Sequence, residues 1–118
     1  MNIEEFRDYC LSFPGVTEGL PFGDDTLVYK VMGKIFAITG VDDFEFINLK
    51  CDPDRAVILR EQHEEIKPGW HMNKAHWNSV YPDGMLDDEM IQELITHSYE
   101  LIVESLTKKK KEELKALK

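Results

Sequence analysis

Three observations predict a single α+β domain. Two amphipathic helical stretches flank the chain. Between them, short segments rich in β-branched and aromatic residues alternate in hydrophobicity, and the turns joining them are too brief for crossover helices. At 118 residues the chain matches the commonest size of one domain, and 42% hydrophobic residues suffice for a core.

The first helix is expected from about Ile3 to Ser12. Asn2 and Glu5 form a capping-box start, and Ile3, Phe6, Tyr9, Cys10 and Phe13 make one apolar stripe. Pro14-Gly15 ends it. Gly15 to Asp25 reads as a loop whose Leu20 and Phe22 pack it down. Three strands follow: Thr26–Val31, Lys34–Gly40 after the tight Met32-Gly33 connection, and Phe44–Lys50 after Val41-Asp42-Asp43. Alternation places Leu27, Tyr29 and Val31 on one face and Val28 and Lys30 on the other.

A second helix begins at Asp52-Pro53, an N-cap followed by proline at the first helical position, and runs to about Glu61. Ile66 lies in a short fourth strand ending at Pro68-Gly69. His76–Tyr81 forms a fifth strand, and Pro82-Asp83-Gly84 a turn. The last helix starts at Asp87 with Leu86 and Ile91 as a hydrophobic staple, and its broad apolar stripe runs to Leu106. Lys108–Lys111 continue that helix or fray at its C-terminus, where lysines suit the macrodipole. The predicted order is α-β-β-β-α-β-β-α, an antiparallel sheet packed by the N- and C-terminal helices, with 107–118 as a basic helix end or tail.

The net charge is -9. Residues 1–106 carry 8 basic and 21 acidic side chains, a net of -13, whereas residues 107–118 carry a net of +4. An acidic body repels a phosphate backbone and disfavours non-specific nucleic-acid binding. No apolar run reaches the ~20 residues needed to span a bilayer, and the acidic N-terminus lacks the pattern of a signal peptide. A cytoplasmic protein without membrane contact is expected, with Cys10 and Cys51 as unpaired thiols.

Chemistry-bearing side chains concentrate in Pro68-Gly69-Trp70-His71-Met72-Asn73-Lys74-Ala75-His76-Trp77-Asn78-Ser79. His71 and His76 lack the spacing that places two ligands on one helix face, so no metal or other cofactor is expected. No serine lies in a nucleophile-elbow context, and no glycine-rich phosphate cradle is present, so a non-enzymatic protein is expected. Recognition remains. Lys74 can meet a phosphate, Asn73 and Asn78 can read a base edge or an amide, and Trp70 and Trp77 offer stacking faces. The alternative for the tryptophans is that they pin a loop by packing.

The chain resembles the MmcQ/YjbR-like family over roughly residues 2–108. The resemblance rests on Phe13-Pro14-Gly15 with Glu18, Leu20-Pro21-Phe22-Gly23, Lys30 to Ala37, Asn48-Leu49-Lys50-Cys51-Asp52-Pro53, Pro68 to Asn78, and Ser98-Tyr99. Trp70 stands where the family pattern has Tyr. The resemblance implies a frataxin/CyaY-like or secretion-chaperone-like fold and DNA binding through a double wing of β-hairpins. On that basis Lys50, Asn73, Lys74, His76, Trp77 and Asn78 would line a contact surface, with Lys30 and Lys34 as secondary phosphate contacts. The chaperone analogy implies instead a module that binds polypeptide on the same sheet surface. An iron-binding role would draw on Asp83, Asp87, Asp88 and Glu89, and small-molecule binding would need a cavity.

Overall fold

The computed structural model describes residues 1–117. The elements are α1 (Ile3–Leu11), β1 (Val16–Gly19), β2 (Thr26–Val31), β3 (Lys34–Gly40), β4 (Ile47–Lys50), α2 (Pro53–Gln62), β5 (Ile66–Pro68), β6 (Trp77–Val80), α3 (Asp88–Glu104) and α4 (Lys108–Ala116). Six strands form one antiparallel sheet in the order β1-β2-β3-β4-β6-β5. The α+β class and the antiparallel sheet are as expected. The order gains one strand and one helix.

The expected caps are present. Asn2 and Glu5 close a reciprocal capping box on α1, while Asp52 and Asp87 accept from the Arg55 and Met90 amides at the starts of α2 and α3. Met32 and Gly33 both have positive φ, 50° and 87°, the twist a two-residue hairpin between β2 and β3 requires.

Strand periodicity then sorts the sheet. Tyr29, Val31, Ala37, Ile47, Leu49 and Val80 face the core with Phe6 of α1, Ala56 and Leu59 of α2, and Ile91, Leu94 and Ile95 of α3. Val28, Ile38, Asn48 and Ser79 are successive cross-strand partners and form one row on the opposite face. Loops cross that second face without closing it.

Four expectations are corrected. Residues 16–19 form a strand: β1 pairs with β2 from Val16↔Val31 to Gly19↔Val28. Val16 and Thr17 favour a strand, but Glu18 and Gly19 do not and the run is only four residues long, so pairing to a neighbour decides its state. The third predicted strand begins at Ile47, because Phe44 turns the chain at a φ of 35°. Leu20 and Phe22 are exposed rather than packed down, Phe22 at 65%.

The lysine run also departs from expectation. The chain breaks after α3 at Ser105, and Thr107 caps a separate helix whose Leu114 is buried. Lys108–Lys111 therefore begin α4 rather than end α3. Gly15, at a φ of 73°, makes room for α4: a Cβ there would lie 2.6 Å from a Leu114 methyl. Lys118, the last residue of the basic segment, lies outside the described residues.

Candidate binding groove

The Pro68–Ser79 stretch leaves β5, loops over the second sheet face and returns as β6. Gly69 N–H donates to the Trp77 carbonyl at 2.8 Å, closing the loop at its base. No side chain fits at Gly69, since an added Cβ would lie 2.8 Å from Trp77 Cβ. Asn73 Oδ1 accepts from the Ala75 amide, and the Asn73 carbonyl accepts from the Trp77 amide. His71 holds a φ of 58°, in the left-handed region that few non-glycine residues adopt.

Two buried side chains on the sheet clamp this loop. Ser79 Oγ accepts from the Trp70 amide at 2.9 Å and donates to Asn48 Oδ1. Asn48 Nδ2 donates to the Trp70 carbonyl at 3.2 Å. Both backbone groups of Trp70 are thereby satisfied from the sheet, and the indole is left 59% exposed against Phe46.

The residues expected to form one contact surface are dispersed. Lys50 and Trp77 are cross-strand partners and, like Lys30, partly buried on the second sheet face. Asn73, Lys74 and His76 are exposed on the loop. Lys74 Nζ donates to the Gly69 carbonyl at 3.1 Å, so its charge is turned back onto its own loop. Lys34 lies at the hairpin tip, where Nζ donates to Ser105 Oγ at 3.0 Å and caps the end of α3. Asn78 does not belong to the surface. It pairs with Leu49, points toward the helices, is 2% exposed, and its Oδ1 has no hydrogen-bond partner among the described residues.

What the fold does assemble is a groove of about 580 Å³ above the Ile38–Asn48 row. Phe22, Ile38, Phe46, Trp70 and Met72 give it apolar walls. Asp25, Asp42, Asp43 and Glu45 line it with carboxylates, and none of the described lining residues is Lys or Arg. The stretch singled out in the sequence holds Trp70 and Met72, whereas Phe22, Ile38 and Phe46 were not foreseen as walls. The signal was the Asp42-Asp43-Phe44-Glu45-Phe46 run, in which carboxylates and aromatics interleave.

Among the described residues, no group of three or more His, Cys, Asp or Glu is placed to hold a metal ion. Both thiols are buried. Burial pushes the Cys51 thiol up to about 11 and raises Cys10 further, so both stay protonated and unreactive near neutrality. Burial also lowers His97, whose Nε2 accepts from the Asp52 amide at 3.2 Å. Among the described residues, no helix is long and apolar enough to cross a membrane.

The protein-family model described as YjbR matches residues 11–101. The chain belongs to the YjbR family. It is 36% identical over 112 residues to the uncharacterized protein YjbR of Escherichia coli strain K12, covering 94% of this chain and 95% of that one. The uncharacterized protein YbdF of Escherichia coli O157:H7 is 38% identical over 107 residues, covering 90% and 88%. A crystal structure of a Deinococcus radiodurans protein with a DUF419 domain superposes with a TM-score of 0.88 at 38% identity, covering 96% of this chain and 87% of that one. A Pseudomonas syringae crystal structure gives 0.72 at 28% identity, covering 86% and 98%.

The segments that carry the YjbR resemblance meet one another in space. Ser98 Oγ donates to the Phe36 carbonyl at 2.6 Å and accepts from the Lys50 amide at 2.9 Å. Tyr99 OH donates to the Pro14 carbonyl at 2.8 Å while its ring stacks on Phe13 at 4.4 Å. These YjbR motif residues hold helix to sheet, as Asn48 and Ser79 hold the Trp70 loop. The groove lies beside this framework.

Proposed function

We propose that this YjbR-family chain is a non-enzymatic binding protein that seats an extended polypeptide segment in the groove over Ile38 and Asn48. One observation carries the reading: the apolar walls stand open to solvent, with Phe22 and Trp70 each more than half exposed. A pocket for a small molecule buries most of its ligand, whereas a shallow apolar channel beside strand ends suits alternate side chains of an extended peptide.

DNA binding, implied by the family resemblance, has less support. Duplex binding needs lysines free to neutralise phosphates. Lys34 and Lys74 are tied to the protein's own oxygens, and the groove is acidic.

Amide shifts of isotopically labelled protein test the choice. A library of short apolar peptides is expected to move Ile38, Asn48 and Trp70 to Met72, with duplex DNA moving nothing. Shifts with DNA at Lys30, Lys50, Lys74 and Trp77 that fade with salt, and none with peptides, would reverse the assignment.

A further inference from the structure

The groove combines two features whose chemistry converges on a cation. The first is an aromatic corner. Phe46 and Trp70 meet edge to face, their ring centroids 5.8 Å apart at 79°, and the His71 ring meets Trp70 with centroids 3.9 Å apart. The faces of such rings are negative and attract ammonium or guanidinium groups. The protein makes a related contact with its own charge: Lys67 Nζ sits 6.0 Å over Tyr81, whose ring neighbours Phe46 at 5.5 Å. The second feature is uncompensated charge. Asp25, Asp42, Asp43 and Glu45 line the same groove, and none of them takes part in an ion pair among the described residues. Among the described residues, Asp25 Oδ1 accepts only from the neighbouring Thr26 hydroxyl.

We propose that the groove selects a polypeptide segment by a basic side chain, arginine foremost, which stacks in the Phe46–Trp70 corner and pairs with the carboxylates of Asp42 and Asp43. This inference rests on the groove reading above and adds the chemistry of its occupant. Arginine fits better than lysine, because its planar guanidinium stacks on a ring while its edge donates to a carboxylate. Its apolar flanks would lie on Ile38, Met72 and Phe22.

Four acetylated, amidated peptides of sequence Ala-Leu-X-Leu-Ala, with X as Arg, Lys, Gln or Glu, test this by tryptophan fluorescence and by amide shifts. At low salt the Arg peptide is expected to bind about tenfold more tightly than the Gln peptide, and the Glu peptide least. The Asp42→Asn/Asp43→Asn double variant changes two exposed turn residues, so it is expected to fold. It should abolish the preference for the Arg peptide over the Gln peptide. If Arg and Gln peptides shift the groove amides with equal affinity, the cation preference is wrong while polypeptide binding stands. If none of the four binds, both fall. A concentration-dependent dimer that buries Trp70 would replace the peptide with a second copy of the chain and overturn the proposal.

Discussion

Ser79 is fully buried, yet its hydroxyl makes two hydrogen bonds and holds the Trp70 backbone to the sheet. Ser79→Ala would strip the Trp70 amide of its acceptor and Asn48 Oδ1 of its donor. A buried polar group deprived of its bond costs about 1–3 kcal/mol. We expect denaturant unfolding of Ser79→Ala to show a loss in the upper half of that range. Trp70→Ala, which removes an indole already 59% exposed, should cost less than about 1 kcal/mol and weaken groove binding. Equal losses from the two variants would mean that the indole holds the loop as firmly as the backbone clamp does. The sequence marked this stretch as the centre of interest, but it did not reveal the division of labour within it. Clamp and wall residues such as Asn48, Phe46 and Ile38 lie far away in the chain and are joined to Trp70 only by strand pairing.

At the scale of elements, the helices and central hairpins were legible because their signals are local: caps, turn residues and a single apolar period. The two unforeseen elements depend on distant partners. β1 exists because Glu18, Val16 and Gly19 find β2, and α1 reinforces it from the other side. Arg7 Nη2 and Nε reach the Glu18 carboxylate at 2.7 and 2.9 Å, and Tyr29 OH donates to it at 3.1 Å. The hydrogen bond from Arg7 is the main reason the Glu18 carboxyl lies below its usual range, partly opposed by burial. A carboxylate lowered in the folded state stabilises above its unfolded pKa, about 4.3, and that stabilisation is lost as pH falls through the lowered value. Glu18→Gln should therefore reduce stability at pH 7 by about 1 kcal/mol or less, since the pair is partly exposed. The gap between variant and parent melting temperatures should close as pH falls below about 4. A gap that stays constant down to pH 2 would show that the carboxylate's charge contributes nothing. For α4, the lysine run obscured the helix. Four lysines at a helix N-terminus oppose the macrodipole. The helix is held instead by the Thr107 cap, by Leu114 in the core and by Lys110 Nζ donating to the Met32 carbonyl at 3.3 Å.

For the whole molecule, the relevant quantity is a net charge of -9 and where its acids lie. Composition alone made that charge legible and weighed against a phosphate backbone as partner. It could not show that Asp25, Asp42, Asp43 and Glu45 converge on one groove, because the first lies in the loop before β2 and the others in the turn after β3. Convergence of like charges without a counter-charge destabilises the free protein, more so when the rest of the chain is already negative. A site kept ready for a cation should therefore be a place where substitution raises stability while lowering function. Asp42→Asn/Asp43→Asn is expected to raise the melting temperature by roughly 2–4 °C at low ionic strength, as relief of about half a kcal/mol would in a domain of this size. Added salt should raise the parent's melting temperature and narrow the difference, because screening acts on the same repulsion. The same substitutions placed on the exposed acids of α3, Asp88→Asn/Glu89→Gln, should not stabilise, since Asp88 Oδ1 pairs with the Met1 amino group at 2.8 Å and both side chains lie in the helix's first turn, where negative charge is favourable. Stabilisation by both double variants alike would reduce the effect to net charge and remove the groove's claim to a special concentration of it.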